Sequence, residues 1–316
     1  MLYAWVIFAL CLSAIILWRI IQNIKTIKSW KPKDFKRKRS LWLKNEPTST
    51  SDKKLPNLIF VGLAKDIRQS LHDNLQYLLE IAQNNCQDYR FIIVENDSTD
   101  GTKELLLDLA AKNPKIIALT HQENQPSAIT HGSHSNKRFH IMAYWRNKYL
   151  EECKKPEYDA FDYVCVLDLD HTVGTTVSAL RTCFETNTDW DMISANGRNA
   201  RYLTPELSLV MYALNDYYYD RVAFRDMNYQ RIKGHAPMKT KEDRQDASLK
   251  IPFFDPKKPG LIPITSAFGG MCVYRKKALT SAKYDGYDCE HICLHDKMID
   301  QGFTKMFIHP NFILWH

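Results

Sequence analysis

From Leu55 onward, short apolar runs alternate with segments of helical periodicity, and this alternation limits the possible folds more than any other feature of the sequence. Four runs have the length of strands and three segments have helical spacing: 58–64, 90–96, 116–120 and 163–170 for the strands, and 70–83, 98–113 and 140–153 for the helices. Strands separated by helices favour a parallel sheet, in which both faces of each strand are covered. The sequence therefore predicts an α/β fold with a Rossmann-like, mostly parallel, doubly wound sheet.

The start of the sequence is typical of a membrane anchor. The first eighteen residues, MLYAWVIFALCLSAIILW, contain no charged side chain. As a helix they would extend about 27 Å, close to the hydrocarbon thickness of a bilayer. No basic residue precedes the run, and more apolar residues follow Ser13 and Ala14, unlike a cleavable signal peptide. We expect a retained transmembrane helix over residues 1–21, a basic stem or linker over 22–54 and one folded domain over 55–316.

The positive charge of the chain is concentrated just after this apolar run. The segment from Arg19 to Arg39 has nine Lys or Arg and one acidic residue, Asp34, a local charge of +8 against +7 for the whole chain. The remaining residues therefore sum to about −1. A nucleic-acid-binding domain carries its positive charge on the folded body, so we expect no nucleic-acid partner. Basic residues beside a membrane span favour the cytoplasmic side, with the lumen of the Golgi or endoplasmic reticulum (type II) as the alternative.

The cysteine pattern agrees with the cytoplasmic side. None of the eight cysteines forms a CxxC pair, and the closest two, Cys289 and Cys293, are four residues apart. Disulfide scaffolds are shorter and richer in cysteine, and structural zinc sites use paired cysteines. We therefore expect free and mostly buried thiols in a reducing compartment.

Two of the predicted strands end in polar residues. Asp168 and Asp170, with Leu169 between them, end one strand, and a Glu-Asn-Asp sequence (95–97) lies at the end of another. In an open parallel sheet, ligands bind outside the carboxyl ends of the strands. Two neighbouring carboxylates repel each other unless a divalent cation such as Mn²⁺ or Mg²⁺ shares them. The pattern predicts a metal site, although Asp-x-Asp alone is also found where a strand simply ends and binds water.

Five segments resemble, in the same order, family 2 glycosyltransferases and other nucleotide-sugar enzymes of the GT-A fold. They are VENDSTDGT (94–102), RNKYLEE (146–152), the Asp-x-Asp sequence (168–170), FGGMCVYRKKAL (268–279) and CEHICLHDKMIDQGFTKMFIHPNFILWH (289–316). The resemblance covers most of residues 55–316 and implies a GT-A domain. It also implies a membrane-anchored, metal-dependent hexosyltransferase that uses a nucleotide-sugar donor and a glycan or lipid-linked acceptor.

A narrower resemblance is to fungal capsule-associated α-1,3-mannosyltransferases. It is carried by KRFHIMAYWRNKYLE (137–151) and by the strand-end residues 95–98. Those proteins tend to have Asn-Asp where this chain has Asp168-Leu169-Asp170, and their topology is usually lumenal. The resemblance makes mannose one candidate for the transferred sugar, from GDP-mannose, beside a UDP-sugar donor.

The resemblance assigns roles residue by residue. It implies metal ligands at Asp168, Asp170 and His316, with Mn²⁺ or Mg²⁺ as the ion. It implies donor-binding residues at Glu95, Asn96, Asp97, Arg138, Arg146, Asp168, Gly269 and Gly270, the glycines allowing close approach of the donor sugar. In an inverting enzyme, Glu290 or Asp288 would be the catalytic base, and both remain candidates because His291 stands where the family has Asp. In a retaining enzyme no base is required, and Glu290 would orient the acceptor.

Two further interpretations concern the acceptor and the class of protein. The segment 212–226 has five aromatic residues among charged ones, which suits an acceptor-sugar platform or a helix with a partly buried aromatic stripe. The alternatives to a transferase are an inactive, membrane-tethered sugar- or nucleotide-binding protein and a nucleotide-sugar-processing enzyme on a similar sheet. The second would use a first loop rich in Gly and Lys, but VGLAKDIRQS offers only Gly62 and Lys65.

Overall fold

The protein is represented by a computed structural model that describes most of the chain beyond residue 52. The described residues are 53–123, 136–171, 174–198, 218–220, 222–228, 254–258 and 260–316, together with Trp18 and Arg39. The predicted membrane anchor and most of the stem lie outside them. Within the described part of the chain, no helix is both long enough and apolar enough to cross a bilayer.

The described residues form eight strands and six α-helices. The strands are β1 Leu58–Ala64, β2 Tyr89–Asn96, β3 Ile116–His121, β4 Tyr163–Leu167, β5 Met192–Arg198, β6 Ile262–Pro263, β7 Met271–Arg275 and β8 Met306–Trp315. The helices are α1 Arg68–Asn85, α2 Thr102–Lys112, α3 Asn136–Glu152, α4 Val177–Glu185, α5 Lys276–Thr280 and α6 Glu290–Asp300, with a single 3₁₀ turn at Pro156–Tyr158. Every strand and helix predicted from periodicity is present.

One sheet contains all eight strands, in the order β3-β2-β1-β4-β7-β5-β8-β6. Parallel pairing joins β1 to β2 and β4, β2 to β3, and β5 to β8, whereas β7 is antiparallel to β4 and β5, and β6 is antiparallel to β8. Six strands therefore point the same way, which confirms a mostly parallel sheet. Their carboxyl ends and the amino end of β7 lie at one edge, called the carboxyl edge below.

Both faces of the sheet are covered, which explains why the strands read as continuous apolar runs. In β1, Ile59 and Val61 pack into one core cluster, and Leu58 and Phe60 pack into the other. All four side chains are at most 1% exposed, and burying each contributes about 1.5–3 kcal/mol. Helices α3 and α6 cover the first face, whereas α1, α2 and α4 cover the second.

Several element boundaries differ from the prediction by a few residues, and two of these differences shape the carboxyl edge. Helix α2 begins at Thr102 instead of residue 98, since residues 98–101 form a turn and the Asp100 carboxylate accepts the Thr102 N–H at 3.0 Å. Strand β4 ends at Leu167, so the Asp-x-Asp sequence belongs to the loop that follows the strand. Residues 97–101 and the two aspartates after β4 thereby lie outside the regular elements, whereas Glu95 and Asn96 are the last two residues of β2.

The cysteines follow the prediction of free, buried thiols. All seven cysteines among the described residues are free and buried. Burial raises the pKa of Cys86, Cys153 and Cys293, in each case to about 12. These side chains therefore behave as small apolar groups of the core.

Candidate active site

The carboxyl end of β2 provides a buried carboxylate, one oxygen of which has no hydrogen-bond partner among the described residues. Glu95 is fully buried, and its Oε1 accepts the N–H of Ser98 at 2.9 Å. Its Oε2 has no hydrogen-bond partner among the described residues. Asn96 is also buried, and Asp97 has a positive φ of 49° and accepts the N–H of Glu123 at 2.9 Å. An unpartnered buried oxygen is costly, so Glu95 is suited to accept a hydrogen bond from a ligand.

The two aspartates after β4 lie at the middle of the carboxyl edge. The N–H of Asp168 donates to the carbonyl of Gly270 at 2.9 Å, which ties the end of β4 to the start of β7. Leu169 is buried and Asp170 is exposed. Burial, and then the charge of Asp170, raises the pKa of Asp168 to about 8, while Arg146 opposes the shift. The electrostatic repulsion that was predicted between these two carboxylates is therefore present in the fold.

Arg146 of α3 connects the motif after β4 to the motif at the start of α6. Its side chain is 3% exposed, with Nε 3.1 Å from Glu290 Oε1 and an Nη 3.6 Å from Asp168 Oδ1. Burial alone would lower its pKa, but Tyr149, Glu290 and Asp168 raise the pKa of Arg146 well above its ordinary value. The guanidinium therefore stays charged and holds both carboxylates in place.

Arg138, two turns earlier in α3, reaches the same region. It is half-buried, and its charge opposes the rise in the pKa of Tyr219 that burial, Asp168 and Asp170 produce. Of the two predicted donor-binding arginines, Arg146 thus contacts Asp168, and Arg138 acts electrostatically on Tyr219.

The two candidate bases lie at the amino end of α6, and each is paired with an arginine. Asp288 Oδ2 is 3.4 Å from an Nη of Arg225, and burial raises the pKa of the Asp288 carboxyl. Glu290 is held by Arg146 through Oε1. His291 is buried and stacks on Phe268, with ring centroids 3.9 Å apart. The base remains a prediction for both residues.

The glycine pair before β7 serves close packing of the protein itself. A Cβ on Gly269 would lie 2.2 Å from the carbonyl oxygen of Ala195, and one on Gly270 would lie 1.8 Å from Nε2 of His316. Both glycines have positive φ, 62° and 81°. The Cβ positions of both glycines are thus occupied by β5 and by His316, so only glycine fits there, and the role of the pair in donor binding stays a prediction.

His316 lies at the carboxyl edge beside Tyr219. Its N–H donates to the Arg198 carbonyl at 2.7 Å, and its ring stacks on Tyr219 with centroids 3.6 Å apart. Nε2 is buried and has no hydrogen-bond partner among the described residues. Burial, and then His171, lowers the pKa of His316 well below its usual value. The imidazole is therefore neutral, as a metal ligand must be.

The edge carries several carboxyl groups that interact. Besides burial, the charges of Asp170, Asp220 and Glu290 raise the pKa of Asp168, and Arg146 opposes the rise in the pKa of both Asp168 and Asp220. Among residues that the structure describes, no three His, Cys, Asp or Glu side chains are already grouped as a metal site. The two aspartates after β4 fit Mn²⁺ or Mg²⁺ by their chemistry. His316 packs against Gly270 and is not grouped with them.

Two residues of the segment 212–226 belong to the site but were not predicted from the sequence. Tyr219 stacks on His316, and Asp220 faces Glu290 and Arg146. Tyr218 is buried in the core beside Phe224, so these two aromatic side chains do not form an exposed platform. The remaining aromatics of the segment lie outside the described residues. The acid in the sequence NDYYYD was the only available signal for Asp220, and nothing there distinguishes it from a solvated surface residue.

Asp220 gives a testable pH dependence. Burial raises its pKa to about 6, although the N–H groups of Ala223 and Gly269 oppose the shift. Since an aspartate ordinarily titrates near 3.9, its contribution to stability is present below about pH 4 and is lost as the pH rises to about 6. We expect Asp220→Asn, which keeps an acceptor for Ala223, to stabilise the metal-free protein at pH 7 by at most about 3 kcal/mol.

This expectation is checked by thermal unfolding between pH 4 and pH 8. One kcal/mol corresponds to roughly 2–4 °C in domains of 150–250 residues. The advantage of the variant should shrink toward pH 4. A variant that is less stable at pH 7, or an advantage that does not change with pH, would contradict the assignment.

A sheet of this order, with an Asp-x-Asp loop, a buried arginine and an acidic helix start at its carboxyl edge, defines a GT-A-type glycosyltransferase. The sequence comparison is more specific. The family described as cryptococcal mannosyltransferase 1 matches residues 63–295, most of the chain, and the protein belongs to that family. The match includes every predicted site residue except His316. Among curated proteins, none matches this chain.

Solved structures similar to this chain include other glycosyltransferases. The mannosyltransferase PcManGT from Pyrobaculum calidifontis, solved with GDP-Man and Mn²⁺, is 12% identical with a TM-score of 0.47, over 96% of this chain and 68% of that one. TarS 1–349 from S. aureus is 12% identical with a TM-score of 0.43, over 82% and 60%. GalNAc-T7 with UDP, GalNAc and Mn²⁺ is 12% identical with a TM-score of 0.44, over 84% and 44%.

Proposed function

We propose that this glycosyltransferase moves a mannosyl residue from GDP-mannose to a glycan or lipid-linked acceptor, with Mn²⁺ or Mg²⁺ held by Asp168 and Asp170. The observation that carries the proposal is the buried Arg146, which joins Asp168 to Glu290 inside the region that matches the family. Mannose follows from the description of that family. A UDP-sugar is the second candidate donor, and family membership favours a transferase over a binding protein or a nucleotide-sugar-processing enzyme.

The donor side of the reaction uses the ends of β2 and β4. Glu95 is proposed to accept a hydrogen bond from the nucleoside through its unpartnered Oε2, with Asn96 and Asp97 beside it. When bound, the metal supplies Lewis-acid chemistry that offsets negative charge on the leaving diphosphate. Arg146 and Arg138 add positive charge at the same edge, and Arg146 keeps Asp168 in position. His316 is proposed as a further ligand because its buried Nε2 has no hydrogen-bond partner among the described residues, although its ring packs against Gly270 and is not grouped with the two aspartates.

The acceptor side is assigned to the start of α6. For an inverting reaction Glu290 is the proposed base, since Arg146 fixes its Oε1 and orients the second oxygen. Asp288 is the other candidate, and its carboxyl is held by Arg225. For a retaining reaction neither base is needed, and Glu290 would orient the acceptor hydroxyl.

We also propose that the enzyme works at a membrane surface, anchored through residues 1–21. The support is the uncharged run followed by nine basic residues up to Arg39. The same basic residues favour a domain on the cytoplasmic face, and the free buried cysteines agree with a reducing compartment.

The donor is tested by thermal unfolding of the full-length, detergent-solubilised protein with Mn²⁺ and a panel of GDP- and UDP-sugars. GDP-mannose should raise the melting temperature most. A ligand at a hundred times its dissociation constant stabilises the folded state by about 2.7 kcal/mol, which corresponds to roughly 5–10 °C for a domain of this size.

The outcome of this panel assigns the donor. Stabilisation by a UDP-sugar alone would replace GDP-mannose as the donor and leave the reaction class unchanged. No stabilisation by any nucleotide sugar, in a protein with a cooperative unfolding transition, would contradict the proposed donor site.

A further inference from the structure

Helix α1 has one polar residue on its apolar face, and that residue is tied to the loop after β4. Asn74 falls at helical spacing with Leu71, Leu75 and Leu78 and is 1% exposed. Its Nδ2 donates to the carbonyl of Leu169 at 2.9 Å and to that of His171 at 2.7 Å. Both donors of the amide therefore hold the backbone on either side of Asp170.

The loop is held from within as well. His171 is buried, and its Nδ1 lies 2.8 Å from the carbonyl oxygen of Asp168, which it can only approach as a donor. Together with Asn74, this contact uses the carbonyls of residues 168, 169 and 171. The backbone conformation that presents the two aspartate side chains thus depends on a small set of buried hydrogen bonds.

Arg39, far earlier in the sequence, covers the outer side of Asn74. It is 6% exposed, and its guanidinium donates to Asn74 Oδ1 and, at 3.1 Å, to the carbonyl of Asp73. The guanidinium carbon also lies 4.2 Å from the centre of the Tyr77 ring. A buried arginine is retained only when its donors are satisfied, and these contacts satisfy part of that requirement.

The arginine fixes the direction of the Asn74 amide. With Arg39 donating to it, the oxygen of Asn74 must face the guanidinium, so the NH₂ group must face the two loop carbonyls. If the amide were flipped, its NH₂ group would face the N–H donors of Arg39, and its oxygen would face the two carbonyl oxygens of the loop. Tyr77 acts in parallel, since its hydroxyl donates to the carbonyl of Thr175 at 2.8 Å further along the same loop.

We propose that Arg39 is a positioning residue for the Asp168–Asp170 segment, acting through Asn74. The basic stretch after the apolar run, predicted above as a stem or linker, then contributes directly to the support of the donor site. The effect of these hydrogen bonds on metal and donor binding rests on the proposed function. The support that Arg39 gives to the loop through Asn74 does not depend on that function.

The test compares three variants of the full-length protein in detergent. Arg39→Gln removes the positive charge and the guanidinium that donates to two acceptors. Arg39→Lys keeps the positive charge, and Arg37→Gln removes a positive charge two residues away in the sequence. The first readout is hydrogen exchange of the amides at 169–171, with those of β2 as the internal reference. The second is the Mn²⁺ concentration that gives half of the maximal thermal stabilisation.

Arg39→Gln should accelerate exchange at 169–171 about tenfold, the scale of one lost hydrogen bond to a charged group. It should raise the Mn²⁺ midpoint by a similar factor, with Arg39→Lys intermediate and Arg37→Gln unchanged. Equal acceleration in β2 would show a global loss of stability and overturn the proposal, as would an equal effect of Arg37→Gln or unchanged exchange at 169–171. If Mn²⁺ does not stabilise even the unmodified protein, the proposed metal site is wrong, and the exchange readout still decides the role of Arg39.

Discussion

Asp170→Asn is expected to reduce kcat/KM for sugar transfer by about three orders of magnitude while leaving the fold intact. A metal ion contributes several kcal/mol of transition-state stabilisation, and each 1.36 kcal/mol corresponds to a factor of ten in rate. Asp170 is exposed, follows the end of β4 and lies outside both core clusters. Substitutions at such positions usually change stability by less than about 0.5 kcal/mol. The measurement is initial transfer rate against Mn²⁺ concentration, together with the melting temperature.

The matched control is Asp162→Asn. Asp162 is also exposed, and it flanks β4 at the opposite end of the strand, away from the carboxyl edge. The control should retain full activity. Normal turnover of Asp170→Asn, or an equal loss in the control, would contradict the assignment of Asp170 to the metal.

Arg146→Met is expected to have the largest effect on stability. The side chain is 3% exposed and lies between Glu290 and Asp168, so its removal leaves the buried carboxylate of Glu290 without its counter-charge and Asp168 without a neighbouring cation. Breaking a buried pair in this way typically costs about 3–5 kcal/mol. Methionine keeps a similar length of apolar chain, so the loss reports mainly on the charge. Denaturant unfolding of the metal-free protein measures it.

Two further variants separate the charge effect from the loss of packing. Lys137→Met changes an exposed cation in the same helix and should alter stability by less than about 0.5 kcal/mol. Adding Glu290→Gln to Arg146→Met removes the carboxylate that was left without its counter-charge, and it should recover part of the lost free energy of unfolding. If the double variant is no more stable than Arg146→Met, the ion pair with Glu290 is not what stabilises the protein.

The sheet and its functional edge could be predicted because each depends on local sequence patterns. Apolar runs such as 58–64 become strands that are buried on both faces, and the polar residues that follow them are collected at one edge by the parallel topology. Glu95 and Asp168 therefore reached their predicted neighbourhood without knowledge of the tertiary contacts. The position of β7 between β4 and β5 was not predicted, because strand order depends on contacts more than a hundred residues apart.

What the sequence could not reveal was which polar residues would be buried against one another. The glycine pair at 269–270 was predicted to allow close approach of a sugar, and the fold shows a separate reason for glycine, since the backbone of β5 and the ring of His316 occupy the two Cβ positions. The pairing of Glu290 with Arg146 depends on how α3 packs against α6. Asn74 did carry a visible signal, a single amide on the apolar face of a helix, but its partners became clear only in the fold.

The antiparallel strand β7 also determines when β4 can complete its pairing during synthesis of the protein. Strand β4, whose sequence is YVCVL, pairs on one side with β1 but must wait for residues 271–275 to pair on the other. At about 5–20 residues per second, the ribosome needs roughly 5–20 s to supply them. During that interval an apolar strand edge is open to other nascent chains. The unpaired edge of β4 is therefore expected to be exposed to aggregation until residues 271–275 have been synthesised.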